Sequence, residues 1–100
     1  MIHDDDVRDL IDTAGYAISY WCSAAVTSDD DAEAYTVTEV DTGQRFVLGL
    51  EALRAAWDRV LSGTMDVRPS IVQSLRDNDV DTDAADVVVQ VACFGTIIYS

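Results

Sequence analysis

The sequence predicts a single α+β domain with a long N-terminal amphipathic helix, a two-stranded antiparallel hairpin and two to three shorter helices. Three observations support this fold class. Apolar residues recur at helical spacing over the first quarter of the chain, residues 35–40 alternate and are β-branched, and helical spacing returns after residue 50. The length of 100 residues is typical of one compact domain, which we place at 1–100.

A long amphipathic helix of about five or six turns is the first predicted element. Its apolar positions recur at three- and four-residue steps: Val7, Leu10, Ile11, Ala14, Ala17, Ile18, Trp21 and Ala25. The opposite face carries acidic and aromatic residues that we expect to be exposed: Asp5, Asp9, Asp12 and Tyr16. An acidic loop ends the helix and contains Asp29, Asp30 and Asp31.

The middle of the chain predicts a β-hairpin. Residues 35–40 are typical of one strand and residues 45–48 of the returning strand. Gly43 supplies the positive φ that the turn between them needs. Because an isolated hairpin is marginally stable in water, we expect it to lie against a helix or to pair with another edge.

Two helices are predicted after the hairpin. Apolar residues between Leu50 and Leu61 keep helical spacing, and Gly63 ends this helix. Pro69 suits the first turn of a short helix that follows.

The last segment, residues 84–94, fits two alternatives. Its valine-rich composition suits a strand, whereas Thr82 or Asp83 before a run with helical spacing is typical of a helix start. We predict a helix that Gly95 ends, followed by a short extended tail packed on the core.

Charge is the strongest compositional signal. Sixteen aspartates and three glutamates are balanced by six arginines and no lysine, so the net charge is -13 at pH 7. Residues 1–41 and 77–100 are strongly acidic, while residues 42–76 hold five of the six arginines. Such a field repels nucleic acid and anionic membranes and attracts basic surfaces. We therefore expect a basic protein partner, and neither direct nucleic-acid binding nor membrane binding.

Catalysis is not indicated. The only histidine, His3, lies near a terminus, and no serine or cysteine has a recognisable base partner. Cys22 and Cys93 lie in apolar stretches, as is typical of buried thiols, and with one histidine they do not complete a metal site. The prediction is a non-enzyme without a cofactor or a metal.

The sequence also predicts a cytoplasmic location. No apolar run reaches the ~18 residues that a membrane span needs. The first residues are acidic, whereas a secretory signal begins with basic residues.

Four alternating aspartates precede the last predicted helix: Asp77, Asp79, Asp81 and Asp83. Their spacing is similar to the start of a calcium loop, but Thr82 stands where that loop needs glycine and Val88 where it needs glutamate. Alternate side chains of an extended segment are ~6.8 Å apart, similar to successive phosphates on one strand. If this segment is extended, its carboxylates resemble a nucleic-acid backbone.

These acids predict a non-catalytic protein that competes with nucleic acid for a basic partner. Tyrosine beside aspartate suits an arginine-rich surface, and Tyr16 and Tyr20 lie next to the acidic face of the first helix. The predicted partner-binding residues form three clusters: Asp5, Asp9, Asp12 and Tyr16; Asp29, Asp30 and Asp31; and Asp77, Asp79, Asp81 and Asp83.

The alternative is a small homo-oligomeric interaction module, such as a homodimer, that uses an apolar patch of the first helix or the hairpin edge. In that case the acidity reflects only solubility, genome composition or adaptation to salt.

Three stretches carry a resemblance to a known group: residues 10–16 with Tyr20 and Trp21, residues 35–39 before the turn at 41–43, and residues 83–92 before Phe94. They resemble small acidic proteins of unassigned function from actinobacteria and their phages. The resemblance implies a helical last segment and a phage or mobile-element context. In that context an acidic inhibitor would act on a host defence component such as a CRISPR or restriction protein. No functional residue carries over.

Overall fold

The computed structural model describes residues 3–29, 32–63 and 65–99. Within them the α+β class is confirmed, with four α-helices and one three-stranded antiparallel sheet. The elements in chain order are α1 (Asp4–Ala14), a 3-10 helix (Gly15–Ile18), β1 (Cys22–Asp29), β2 (Ala32–Glu39), β3 (Arg45–Gly49), α2 (Leu50–Leu61), α3 (Pro69–Arg76) and α4 (Thr82–Phe94).

Helix α1 is shorter than predicted, and the expected five or six turns are wrong. It has 11 residues and ends at Gly15, whose φ is 26° and ψ is -117°. A residue with a Cβ rarely adopts this conformation, so glycine allows the chain to leave the helix here. The backbone then continues as the 3-10 helix and turns toward the sheet.

Strand β1 replaces the second half of the predicted helix. It pairs antiparallel with β2 over eight residues, from Cys22 opposite Glu39 to Asp29 opposite Ala32. The predicted two-stranded hairpin is therefore corrected to a three-stranded sheet with the order β1-β2-β3. The hydrogen bonds that stabilise β1 come from β2, the next strand in the chain, and helical spacing does not report such pairing.

The predicted β2–β3 hairpin is present. Gly43 has a φ of 72° in its turn, and Tyr35 lies opposite Leu48 in the register. One face of the sheet carries buried side chains, including Tyr35, Val37 and Leu48. The other face carries exposed residues such as Val47, which marks it as the outer surface.

Helix α4 lies at the centre of the fold, and the helical alternative for this segment is correct. Asp81 caps its N-terminus and Gly95, with a φ of 75°, ends it. The helix packs against α1, α2 and α3 and contacts β3. Its alanines and valines are therefore buried on nearly all sides: Ala84, Ala85, Val87, Val88, Val89 and Val91. The helices thus form one layer against the inner face of the sheet.

The segment after α4 packs on the core, as predicted. Tyr99 stacks on Trp21 with ring centroids 5.3 Å apart, and Phe94 contacts Trp21 at 5.5 Å. Buried Gln90 binds the segment, because its Oε1 accepts hydrogen bonds from the amides of Ile98 (3.0 Å) and Tyr99 (2.8 Å). In the described part of the chain, no helix has the length and apolar character needed to cross a membrane.

Candidate partner-binding surface

The acids predicted on the first helix lie on the exposed side of α1. Asp5, Asp9 and Asp12 are all exposed, and Asp5 forms an ion pair with Arg8 at 2.8 Å. Tyr16 lies in the 3-10 helix rather than in α1, and its side chain is outside what the structure describes.

The predicted loop cluster is largely outside the described residues. Asp30 and Asp31 fall in the gap of the structure, and Asp29 is the last residue of β1, with its side chain not described. The structure therefore neither places these three carboxylates nor joins them to the others.

The segment that carries the last cluster is not an extended row. Asp77 follows α3 with helical backbone angles, and Asn78 has a φ of 55°. Asp81 is the N-cap of α4, where its carboxylate accepts a hydrogen bond from the Ala84 amide at 2.8 Å, and Asp83 lies inside α4. The condition for phosphate-like spacing over Asp77–Asp83 is thus not met, because turns and a helix start interrupt the strand geometry.

The N-terminus of α1 and the segment between α3 and α4 meet in space. The Asn78 Nδ2 donates a hydrogen bond to the Asp6 Oδ1 at 3.0 Å. A hydrogen bond from the His3 amide and the one from Asn78 lower the pKa of Asp6. The contact brings the acidic start of α1 beside the turn that follows α3, so Asp5 is the one member of the first predicted cluster that it places with the last cluster. We call the acids of these two segments the anionic band: Asp4, Asp5, Asp6, Asp77, Asp79, Asp81 and Asp83.

Arginines partly neutralise the anionic band. Arg54 pairs with Asp4, Arg8 with Asp5, and Arg68 with Asp83 at 3.4 Å. The side chains of all three pairs are at least one-third exposed, so each pair contributes little to stability and opens readily to another cation. Seven carboxylates against three paired arginines leave the band negative.

A pocket of about 380 Å³ lies at the end of the band that Asp83 occupies. We call it the Tyr20 pocket. Its polar lining includes Tyr20, Asp66, Arg68 and Asp86, and its apolar lining includes Val87 and Ile97. The aromatic ring, carboxylates and aliphatic walls together suit a long cationic side chain, which would compete with Arg68 for Asp83.

Asp86 holds one wall of the Tyr20 pocket in place. Its carboxylate accepts hydrogen bonds from the Tyr20 hydroxyl (2.5 Å), the Trp21 Nε1 (2.9 Å) and the Gln90 Nε2 (2.9 Å). Burial, then the contact with Asp86, raises the pKa of Tyr20, so that this hydroxyl stays protonated and donates. The ring of Tyr20 is thereby held at the pocket while the residue remains 52% exposed.

Three residues of the Tyr20 pocket were not among the predicted partner-binding residues: Tyr20, Asp66 and Asp86. A usable signal was present in α4. Asp86 and Gln90 are four residues apart in an otherwise apolar helix, so they lie on the same side and form a shared polar position.

Neither cysteine is a reactive nucleophile at neutral pH. Burial raises the pKa of Cys22 to about 11 and that of Cys93 to about 12, so both thiols stay protonated. Among the described residues, no group of three or more His, Cys, Asp and Glu side chains is placed to hold a metal ion.

Comparison with known proteins gives no relative to set beside this site. No family model matches the chain, and searches of curated proteins and of solved structures gave no significant match.

Proposed function

We propose that this protein is a non-catalytic binding protein that docks on the basic surface of a nucleic-acid-binding partner and competes there with nucleic acid. The observation that carries the proposal is the hydrogen bond between Asn78 and Asp6, which makes one anionic band of two segments far apart in the sequence. Proteins that bind nucleic acid draw much of their affinity from arginine and lysine contacts to phosphates. A folded carboxylate surface competes for the same cations.

The band competes through its charge density, not through periodic spacing. Turns between α3 and α4 prevent an alternating row over residues 77–83. A partner therefore meets carboxylates from a helix N-terminus, a turn and a second helix N-terminus. We expect such a surface to bind a patch of cationic side chains on the partner. It does not require the partner's nucleic-acid-binding groove to have one particular width.

The Tyr20 pocket supplies an anchor for one arginine or lysine of the partner. Its apolar walls at Val87 and Ile97 accommodate the methylene groups, and Asp66 and Asp83 attract the charged end. Tyr20 offers a ring face that is held in position through Asp86. Anchors of this kind contribute most of the affinity at protein interfaces.

A matched pair of double variants tests the band. The probe is an oligo-arginine peptide, with heparin as competitor. We expect Asp79→Asn with Asp83→Asn to weaken peptide binding about fivefold, because two exposed carboxylates leave the band. Asp41→Asn with Asp58→Asn changes the net charge equally at exposed positions outside the band, and we expect less than about a twofold effect.

The salt dependence of binding completes this test. Wild-type affinity should fall steeply as NaCl rises, and the band variant should show a shallower slope. Equal losses in the two double variants would mean that only net charge matters, and would refute the band as a site.

The alternative function is a self-assembling interaction module, and one feature favours it. Strand β1 lies at an edge of the sheet, and Val26 on it is 55% exposed. Two copies that pair at this edge would each bring a net charge of -13, which opposes association. Light scattering at low and at high salt separates the two functions, because only the alternative gives a dimer without a basic partner.

A further inference from the structure

The outer edge of β1 carries backbone groups that point away from the sheet. The Val40 amide donates to the Trp21 carbonyl at 3.0 Å, which fixes the phase of the β1–β2 ladder. In an antiparallel ladder the hydrogen-bonding direction alternates, so the amides and carbonyls of Ala24 and Val26 face outward. Among the described residues, only β2 pairs with β1.

A groove lies beside this edge, between α1 and β1. Its volume is about 510 Å³, and its apolar lining includes Ile11, Ile18, Ala24, Val26 and Tyr35. A second hollow of about 220 Å³ shares Ile11 and Val26 and adjoins it. On the face of β1 that lines the groove, Cys22 is 3% exposed and Val26 is 55% exposed, so the groove opens to solvent toward Val26.

The sequence of β1 has little of the usual protection of an edge strand, since its one charged residue is Asp29 at its end. Natural edges carry charges, prolines or bulges that block pairing with another chain. Residues 22–28 contain no charged residue and no proline, although the chain as a whole has a net charge of -13. An unprotected strand beside an apolar groove is the arrangement that strand addition uses.

The charged side chains beside the groove indicate what kind of segment can bind at the edge of β1. Asp12 lines both hollows, and Asp9 is exposed one turn earlier on α1. Arg8 also lines the smaller hollow, where it is paired with Asp5. A second copy on this edge would bring its own Asp12 to the same groove, and like charges would oppose the pairing. A segment with arginine or lysine places opposite charge there instead.

We propose that β1 and the α1–β1 groove bind an extended segment of the basic partner, which adds to the sheet as a fourth strand. The segment places apolar side chains over Val26 and Ala24 and a basic side chain further along the same face, toward Asp12. The basic character of the segment rests on the proposed function, whereas the strand addition rests on the edge and the groove alone.

The probe is a peptide with blocked ends, eight residues long to match β1, with threonine at its odd positions and two valines followed by two arginines at its even positions. The valines and arginines then share one face of the added strand. Hydrogen exchange measured by NMR reports the binding mode. We expect the amides of Ala24 and Val26 to gain at least about tenfold protection on binding, because they become hydrogen-bonded. The Ala25 amide already faces β2 and should change little. A peptide N-methylated at alternate residues removes the donors and should not bind.

A pair of variants locates the site. Val26→Lys should weaken peptide binding about tenfold, because it places a cation on the groove and removes apolar surface. Val47→Lys is the matched control, since Val47 is 65% exposed on the other edge strand, and we expect less than about a twofold change. Both positions are more than half exposed, so both variants should fold, and circular dichroism checks this.

Four results would overturn the inference. The first is no peptide binding at millimolar concentration. The second is binding without protection of Ala24 and Val26 that only the Asp79/Asp83 variant weakens, which would leave the proposed function standing. The third is equal protection by the same peptide with glutamine in place of both arginines, which would reject a basic segment. The fourth is a wild-type dimer that Val26→Lys dissociates, which would assign the edge to a second copy.

Discussion

Gln90 is a buried polar residue whose side-chain amide makes hydrogen bonds both to Asp86 and to the C-terminal segment. It is 1% exposed, its Nε2 donates to Asp86 and to the Tyr99 carbonyl, and its Oε1 accepts from the Ile98 and Tyr99 amides. A buried polar group is tolerated when its hydrogen bonds are made. Gln90 therefore connects the wall of the Tyr20 pocket to the C-terminal segment.

The first prediction removes this connection. Gln90→Leu keeps a similar volume but leaves the Ile98 and Tyr99 amides without an acceptor, so we expect a loss of about 2–4 kcal/mol in the free energy of unfolding. Urea denaturation measures it. The control is Gln73→Leu on the exposed side of α3, which should cost less than about 0.5 kcal/mol. Similar losses in both variants would contradict the role of Gln90.

Glu39 and Tyr99 form a second residue pair that ties the C-terminal segment to the sheet. The Tyr99 hydroxyl donates to Glu39, and Thr42 donates to the same carboxylate at 2.6 Å. The hydrogen bonds from Thr42 and then Tyr99 lower the pKa of Glu39 below its ordinary 4.5. The contact with Glu39 raises the pKa of Tyr99 to about 12.

The second prediction concerns the dependence of stability on pH, and it follows from the lowered pKa of Glu39 and the raised pKa of Tyr99. A lowered carboxyl pKa in the folded state stabilises above pH 4.5, and this contribution is lost as pH falls through the folded-state pKa. The raised pKa of Tyr99 stabilises below its ordinary pKa of 10 and is lost as pH rises toward 12. Glu39→Gln should therefore flatten the acid limb of stability against pH and lower the pKa of Tyr99. An NMR titration in which the Tyr99 pKa does not move would contradict the contact.

At the scale of elements, sequence patterns predicted the segments that local rules determine. α2, α3, α4 and the β2–β3 hairpin were correct because spacing, capping and turn residues lie within each segment. β1 was missed because Ile18, Trp21 and Ala25 continue the helical spacing of α1, although its partner β2 is the next strand in the chain. Gly15 was the local signal that the helix ends.

The candidate site was predictable only in part for the same reason. Sequence patterns selected the acids of α1 and of residues 77–83 but could not show that Asn78 reaches Asp6 across 72 positions. Asp66 and Asp86 enter the Tyr20 pocket through the packing of α3 and α4, which one sequence does not reveal.

The third prediction concerns the N-terminus of α4. Asp81 accepts a hydrogen bond from the Ala84 amide, so Asp81→Ala should lower the free energy of unfolding by about 1 kcal/mol. Asp79→Ala is the matched control, because Asp79 is an exposed aspartate two residues earlier and lies outside the helix. Urea denaturation at constant salt compares them. Equal losses would assign the effect to charge instead of capping.

At the scale of the whole molecule, the charge acts on stability and on binding in opposite directions. Self-repulsion among an excess of 13 negative charges destabilises the compact state, and dissolved salt screens it. The attraction between the anionic band and a basic partner is screened by the same salt. If the acidity serves binding, the protein must be folded at low ionic strength. If the acidity serves only adaptation to high salt, that requirement does not exist.

The fourth prediction uses this difference. The protein should be fully folded at low ionic strength, where its affinity for the oligo-arginine peptide is highest. Its Tm should rise by about 5 °C as NaCl increases to ~0.5 M, while that affinity falls. A protein whose acidity serves only salt adaptation would instead be unfolded without molar salt. Circular dichroism melts and peptide titrations at each salt concentration distinguish a binding function from salt adaptation. A protein that is unfolded at low salt would contradict a binding role of the anionic band.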